Sequence, residues 1–195
     1  MERQLTRHGA DRKAELLQAA EALFVERGFD DTRMVDIAER AGVAKGLVYW
    51  YFENKDALFR EIIADVRDRL RQAMANATTA HAGDPLKVIE LGVIEAVRFI
   101  AEHHRMFSLI RDVAGFSDAH AESAQTHAAD TARVIAEGQR RGVIRTDDDP
   151  LVMAMFNSGV VTQAVAAIAA GTTDIETAAH AAARYVVRAL AEDRR

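Results

Sequence analysis

Apolar residues recur along this chain with the spacing of one face of an α-helix, and no segment shows the sustained alternation of a β-strand. The first such segment runs from about Gly9 to Arg27, and Gly28 follows as a stop signal. Its inward positions are Leu16, Leu17, Ala20, Leu23 and Phe24. The pattern predicts an all-α protein of about nine helices, since each later breaker is followed by a new helical repeat.

A short helix is predicted to begin after Thr32, whose hydroxyl would cap it by accepting a bond from a first-turn N–H group. One face of this helix carries Met34, Ile37, Ala38 and Ala41. Gly42 stands where a left-handed residue commonly ends a helix. Val43, apolar within the turn, is predicted to fill the angle between this helix and the next.

A second short helix is predicted from about Ala44, with Val48 and Phe52 turned toward the same core. Its other face carries Lys45, Gly46, Tyr49 and Trp50. Two helices joined by a short turn that contains Gly form a helix-turn-helix, whose second helix enters the major groove of DNA. The two segments therefore predict a three-helix head that binds DNA.

The stretch from Phe24 to Leu58 resembles the DNA-binding domain of the TetR family of bacterial transcriptional repressors. The shared positions are Leu23, Phe24, Glu26, Gly28, Phe29, Thr32, Ile37 to Val43, Gly46, Tyr49, Tyr51, Phe52, Lys55 and Leu58. Ala44 and Leu47 depart from the family pattern, which often has Ser or Thr there. Both departures remove a hydroxyl from the face expected to meet DNA.

The helix face and the resemblance together give a set of DNA-contacting candidates: Thr32, Arg33, Ala44, Lys45, Gly46, Tyr49, Trp50 and Lys55. Lys45 would reach a base edge or a phosphate, and Tyr49 resembles the family's phosphate-contacting tyrosine. Alternatives stay open for two of them. Trp50 could cover the core of the head, and Lys55 could be an ordinary solvated lysine.

Asn54 is the predicted N-cap of a long fourth helix, whose apolar stripe is too long for a three-helix head to cover. Breakers at residues 81–85 end this helix. The predicted division is an N-terminal arm and DNA-binding head over 1–54, a connecting helix over 55–80, and a larger C-terminal helical domain over 81–195. The resemblance implies that this last domain binds a ligand and forms the dimer.

Within the C-terminal domain, turn residues divide the chain into five further helices. The first of them starts at Pro85. The next three are predicted over His103–Ala114, Ser117–Arg141 and Leu151–Ala170. The last begins at Thr173, which has capping-box spacing to Glu176.

The span Leu151–Ala170 is almost continuously apolar and long enough to cross a bilayer, yet Asn157, Ser158, Thr162 and Gln163 interrupt it. A buried helix explains it better, and no membrane is expected. The last two predicted helices both carry broad apolar surfaces, which must be shielded from water. In the family resembled, the last two helices pack against a second subunit, and a homodimer is the favoured interpretation over a monomeric core.

The resemblance also implies a pocket for a small, fairly apolar effector. The candidates are Phe99, His103, Met106, Phe107, Ile110, Phe116, Met153, Phe156, Asn157 and Gln163. His103, Asn157 and Gln163 are the polar members that would orient a ligand. Met and Phe at helical spacing are often plain core residues, so this alternative stays open for each of them.

The chain has 195 residues, a formal net charge of −5 and no cysteine, which excludes disulfides, thiolate zinc sites and a cysteine nucleophile. DNA binding would depend on a local basic footprint and fall steeply with salt. No apolar export segment opens the chain, so a cytoplasmic protein is expected.

The histidines are not spaced to share a metal ion, and His-Glu-x-x-His, Gly-rich phosphate loops and Gly-x-Ser-x-Gly motifs are missing. We expect no catalytic residue, metal or cofactor. The leading hypothesis is a homodimeric repressor that binds a palindromic operator in double-stranded DNA and is released by a small-molecule effector. The alternative is a helical carrier or enzyme whose head does not bind DNA.

Overall fold

The computed structural model describes residues 7–113 and 117–192, and their side chains apart from those of residues 7, 8, 10 and 117–125. Within those residues it confirms the predicted all-α class. The helices are α1 (Arg7–Arg27), α2 (Met34–Arg40), α3 (Lys45–Tyr51), α4 (Lys55–Thr78), α5 (Pro85–Glu102), α6 (His104–Asp112), α7 (Ser117–Arg140), α8 (Pro150–Ala169) and α9 (Ile175–Leu190). The predicted end of the sixth helix at Ala114 lies outside the described residues.

The chain divides into two compact units, which differ from the predicted domains. The N-terminal unit extends through Val66 and also takes in the stretch that begins at Arg105, which contains most of α6. The C-terminal unit begins at Arg67, continues through α5 to His104 and resumes at His120. Helix α4 is continuous through Val66, so a single helix supplies residues to both units.

An aromatic cluster holds the N-terminal unit together. The Phe24 ring lies 5.4 Å from the rings of both Phe29 and Phe59, and the last two are 4.9 Å apart. Phe24 and Phe59 are fully enclosed, as are Val48 of α3 and Ile37 of α2. Burial of large apolar side chains from α1 to α4 thus fixes the positions of α2 and α3.

The turn between α2 and α3 follows the prediction. Gly42 has a φ of +66°, in the left-handed region that favours glycine. Its N–H donates to the Glu39 carbonyl, and the Val43 N–H donates to the Ala38 carbonyl, so the last carbonyls of α2 are satisfied. The predicted cap of α4 is also confirmed, since the Ala57 N–H donates to Asn54 Oδ1 at 2.8 Å.

In the C-terminal unit, α5, α8 and α9 pack against one another around an aliphatic cluster. Its most enclosed members include Val97, Ile135, Ile144 and Ala154. On the surface of the same unit, the Arg98 guanidinium of α5 forms a two-pronged ion pair with Glu176 of α9.

The start of α8 follows the prediction, and the start of α9 does not. Pro150 opens α8, and the Asp149 carboxylate accepts from the Leu151 N–H at 2.8 Å. Asp174 caps α9 by accepting from the Thr177 N–H at 2.9 Å, so the predicted cap at Thr173 is wrong. A carboxylate is the better partner because it adds a charge that the helix dipole favours.

Helix α8 buries only one face in a single chain. Met153, Ala154, Asn157 and Val161 point inward, while Leu151, Val152, Met155 and Phe156 are exposed. The predicted burial therefore holds for one face of α8, and the other apolar face is not covered within one chain. Among the helices of the described ranges, α8 alone is long and apolar enough to cross a membrane, with 22% of that stretch buried.

A tight connection leads from α7 toward α8. Gly142 has a φ of +68°, and the N–H groups of Val143 and Ile144 both donate to the Gly138 carbonyl. A β-carbon at Gly138 would lie 2.4 Å from Ile144 Cδ1, so only glycine allows the buried Ile144 side chain to lie there. Ile144 also pairs with Ala191 in an isolated antiparallel bridge beyond α9.

Candidate nucleic-acid interface

Helix α3 presents one face to solvent and the other to the core. Val48 is fully buried and Phe52, the residue that ends the helix, is 2% exposed. On the opposite side Tyr49 is 47% exposed and Trp50 is 50% exposed. About half of the surface of each of these two aromatic side chains is therefore in contact with solvent and not with the rest of the chain. Such a face is typical of a binding surface.

Cationic and aromatic groups alternate on this face. The Lys45 ammonium lies 5.7 Å from the centre of the Tyr49 ring, within cation–π range. The Trp50 indole meets the Tyr51 ring edge-on, with ring centres 4.6 Å apart. The face combines an exposed positive charge, a phenol and an indole N–H, which are groups that contact phosphates and bases.

Gly46 lies exposed in the first turn of α3, and a β-carbon built there would meet nothing within 4 Å. No internal contact therefore requires glycine at this position. A residue without a side chain on the exposed face allows another molecule to approach the backbone closely.

Tyr51 fastens the end of α3 to the start of α1. Its hydroxyl donates to the Gly9 carbonyl at 3.0 Å, and the side chain is half-buried. Phe52 therefore has the packing role expected from the sequence, and Tyr51 also serves the packing of this unit. The bond connects residues 42 positions apart, a partner that sequence spacing did not indicate.

Arg33 occupies the N-cap position of α2 and is exposed. Its Nε and Nη2 donate to the Asp36 carboxylate at 3.1 and 2.8 Å, and the Arg33 N–H donates to the same carboxylate at 3.1 Å. The side-chain hydrogen bond from Arg33 is the main cause that lowers the pKa of Asp36. Asp36 thus holds the guanidinium in one orientation, a role that the sequence did not reveal.

The prediction that Thr32 caps α2 is wrong, and its side chain is not placed to contact DNA. The residue is 0% exposed, and it is not the N-cap of α2. Its hydroxyl donates to the Gly28 carbonyl at 2.8 Å and approaches the Leu23 carbonyl at 3.4 Å. An enclosed hydroxyl that faces α1 cannot grip a phosphate, so Thr32 closes the loop between α1 and α2 instead.

Lys55 lies at the first position of α4 and is half-buried. Its ammonium donates to the carbonyls of Phe29 and Asp30 at 2.6 and 3.1 Å, and it lies 4.4 Å from the centre of the Phe29 ring. Lys55 therefore also stabilises the loop that precedes α2. A phosphate contact by its remaining donor stays a prediction.

Two ion pairs tie the helices of the N-terminal unit to one another. Arg40 of α2 forms a bidentate pair with Glu26 of α1, at 2.6 and 2.7 Å, and this hydrogen bonding lowers the pKa of Glu26. Lys13 of α1 lies 2.7 Å from Glu61 of α4. Both pairs are partly exposed, so they orient the helices more than they stabilise the fold.

The predicted ligand candidates are divided between the two units. Phe99 and His103 stack at 4.3 Å between ring centres at the end of α5, in the C-terminal unit. The α6 residues Met106 and Ile110, both buried, and Phe107 belong to the N-terminal unit. Phe116 lies outside the described residues.

On α8 the candidates point in opposite directions. Met153 and Asn157 face inward, while Phe156 and Gln163 are exposed. Neighbouring residues on a helix point about 100° apart, so Phe156 turns away from the core that Asn157 faces. The structure of one chain therefore does not support the prediction that Phe156 and Gln163 line a pocket within it. Across the described ranges, no group of three or more His, Asp or Glu is placed to hold a metal ion.

Known proteins are similar to this chain in the region that contains α2 and α3. Residues 16–62 match the family model described as bacterial regulatory proteins, tetR family. The chain is 32% identical over 96 residues to the HTH-type transcriptional repressor BepR of Brucella suis, which is 49% of this chain and 46% of BepR. It is 30% identical over 99 residues to the probable acrEF/envCD operon repressor of Escherichia coli K12, covering 51% and 45%. The chain thus spans about half the length of these relatives.

Solved structures show the same fold over nearly the whole chain. The structure of SmeT with triclosan matches with a TM-score of 0.79 at 20% identity, over 94% of this chain and 93% of that one. SmeT is described as the repressor of the multidrug efflux pump SmeDEF of Stenotrophomonas maltophilia. Each of these three proteins is described as a repressor.

Proposed function

The chain belongs to the TetR family of bacterial regulatory proteins, and on this premise we propose that it is a homodimeric, cytoplasmic repressor. It binds a palindromic operator in double-stranded DNA and is released by a small, fairly apolar effector. The observation that carries the proposal is the exposed face of α3, where Lys45, Tyr49 and Trp50 surround the open backbone of Gly46.

The chemistry of this face suits a DNA duplex. Lys45 and Arg33 supply positive charge, Tyr49 supplies a phenol for a phosphate oxygen, and Trp50 supplies a flat apolar surface for a sugar or a thymine methyl. Gly46 allows the first turn of α3 to enter the major groove closely. Glu26–Arg40, Lys55 and Tyr51 hold α3 at a fixed angle, so the face is ordered before it meets DNA.

The exposed side of α8 supports a homodimer. Phe156 is 71% exposed and Met155 is 61% exposed, beside Leu151 and Val152. No Lys, Arg, Asp or Glu occurs from Leu151 to Ala170, so the surface has no charge to attract an acidic or basic partner. A second copy presents the same uncharged surface, and isologous packing buries both at once. Two copies also supply two α3 helices for the two halves of a palindrome.

Effector release would act through α4. Its first residue, Lys55, binds the loop before α2 within the N-terminal unit. Its later turns lie in the C-terminal unit, where the terminal methyl of Met74 would lie 3.4 Å from a β-carbon at Gly92 of α5. A ligand that prefers one position of α4 would shift the α3 helices of the dimer and weaken operator binding. The triclosan complex of SmeT supports a small aromatic effector.

Selection of bound duplexes from a random pool tests the proposal. The expected result is an enriched palindrome whose half-sites lie about one helical turn apart or a multiple of it, bound by two chains per duplex. Binding should weaken steeply as salt is raised. A pool that shows no enrichment over several rounds at low salt contradicts DNA reading by this protein.

The variant Gly46→Ala tests whether the backbone of α3 lies close to DNA, and it does so without disturbing the fold. An added methyl meets no internal atom and removes a helix-weakening glycine, so thermal stability should stay equal or rise. Affinity for the selected duplex should fall about tenfold or more, because the methyl separates α3 from the groove. The control is Gly83→Ala, an exposed glycine with equally open space in the C-terminal unit, which should change neither quantity.

A further inference from the structure

Asn157 is the one amide among the inward-facing residues of α8. It is 8% exposed and lies one turn after Met153 and one turn before Val161. Both of these neighbours belong to the aliphatic cluster that α8 shares with α5, α7 and α9. The side chain of Asn157 therefore points into the apolar centre of the C-terminal unit.

The amide nitrogen of Asn157 has no protein partner there. Its Nδ2 atom is enclosed and makes no hydrogen bond. The neighbouring hydroxyls on α8 behave differently: Ser158 Oγ donates to the Ala154 carbonyl at 3.1 Å, and Thr162 Oγ1 donates to the Ser158 carbonyl at 3.0 Å. Enclosed amide hydrogens almost always find an acceptor, because leaving one unpaired is costly.

We propose that Asn157 is the polar anchor of a ligand site in the C-terminal unit, and that its occupant is an apolar ring compound with one hydroxyl group. This inference rests on the proposed function, since it specifies the effector. An amide both donates and accepts, and a hydroxyl does the same, so one hydroxyl can pair with both atoms of the amide.

The apolar neighbours of Asn157 disfavour charged ligands. The cluster to which Met153 and Val161 belong is made of aliphatic residues, alanines and Met153. A charged ligand would lose its hydration without gaining an opposite charge, so it is disfavoured. A ring compound without a polar group would enter the cluster and leave the Asn157 amide unpaired.

A pair of probes that differ in one group tests the assignment. Full-length protein is titrated by calorimetry with 1-naphthol and with 1-methylnaphthalene, which have similar shapes, and only the first has a hydroxyl. Wild-type protein should bind 1-naphthol about tenfold more tightly, the difference expected for a hydrogen bond to an otherwise unpaired buried group. Equal affinities, or no binding of either probe, overturn the inference.

The variant Asn157→Leu removes the amide at similar volume. It should abolish the preference for 1-naphthol, and it should raise the unfolding midpoint of the unliganded protein by about 4 °C, because no unpaired amide remains in the cluster. The control Asn76→Leu makes the same change at an exposed position of α4, where only a surface hydrogen bond from Gln72 is lost, so it should keep the preference for 1-naphthol and should not raise the midpoint by a comparable amount. A preference that persists in Asn157→Leu contradicts the inference.

Gel shifts with the selected operator separate this inference from the proposed function. If 1-naphthol binds through Asn157 without releasing the operator, the ligand site stands and effector release fails. If the protein binds its operator as a dimer but does not distinguish the two probes, the repressor proposal stands and the role of Asn157 fails.

Discussion

Helices α3 and α8 both expose large apolar side chains, but the two faces differ in chemistry. On α3, each exposed aromatic residue has a polar tip, and Lys45 lies against the Tyr49 ring. On α8, Met155 and Phe156 have no hydrogen-bonding group, and the helix carries no charge. Exposure alone therefore does not identify the partner of a surface.

The difference indicates which partner each face can take. Aromatic groups with polar tips can lie against sugars and bases while their hydrogen-bonding atoms and the nearby lysine contact phosphates. A face of purely apolar groups gains only by removing water, which a second identical face does equally well. The comparison thus assigns α3 to DNA and α8 to another copy of the chain.

The largest expected effect comes from a charge on the α8 face. In Phe156→Glu, dimerisation would bury two uncompensated carboxylates, so the dimer should weaken by at least about 100-fold. Sedimentation equilibrium measures this change. The control Ala14→Glu places the same charge on exposed α1 and should leave the dimer intact. A dimer of unchanged affinity in Phe156→Glu would remove α8 from the interface.

A second variant tests the connection that leads into α8. Gly138→Ala would place a methyl 2.4 Å from Ile144 Cδ1, and the strain should cost about 1–3 kcal/mol of unfolding free energy. Urea unfolding measures this cost. An Ile144→Ala background removes the two closest atoms and leaves the β-carbon of residue 144 at 3.2 Å, so Gly138→Ala should cost clearly less there. Equal losses in both backgrounds would show that Ile144 is not the obstacle.

On α3, the expected effect of a single lysine is smaller. Lys45→Ala should lower operator affinity about tenfold and reduce the slope of log affinity against log salt by about 1, as for one lost phosphate contact. Lys87→Ala, which removes a lysine paired with Glu90 in the C-terminal unit, is the control and should leave both unchanged. An unchanged salt slope in Lys45→Ala would mean that this lysine does not meet a phosphate.

The smallest expected effect concerns pH and the C-terminal unit. Burial is the main cause that lowers the pKa of half-buried His127 below its ordinary value of 6.5. The Asp130 charge raises this pKa, and the Arg71 charge lowers it. The unfolded chain therefore binds a proton more readily below pH 6.5, and stability falls with acidification by less than about 1.4 kcal/mol per pH unit. His127→Gln should flatten this part of the profile in urea unfolding measured from pH 7.5 to 5.5. An unchanged slope would show that His127 does not contribute.

Sequence patterns predicted the helices well because they depend on local signals. Asn54, Gly42 and Pro85 mark helix ends through their own backbone and side-chain chemistry, and each lies where it was expected. The buried face of α3 followed from the spacing of Val48 and Phe52. Periodicity also separated this face from the exposed Tyr49 and Trp50.

Sequence patterns did not reveal the contacts that a side chain makes with a distant segment. Thr32 looked like a cap, but its hydroxyl faces carbonyls at the end of α1. Lys55 reaches carbonyls 25 and 26 positions earlier, and Asn157 is enclosed by helices far away in sequence. The composition of α8 indicated burial, yet no local signal distinguishes burial in one chain from burial between two.

The fluorescence of Trp50 tests the central claim most directly. It is the single tryptophan of the chain and lies half exposed on the α3 face, so every change in the signal reports this face alone. The wild-type protein is titrated with its selected duplex, and quenching by acrylamide is measured at saturation. The account predicts that Trp50 becomes strongly protected at two chains per duplex. Undiminished quenching by acrylamide in a complex that gel shifts show to be fully formed would contradict it.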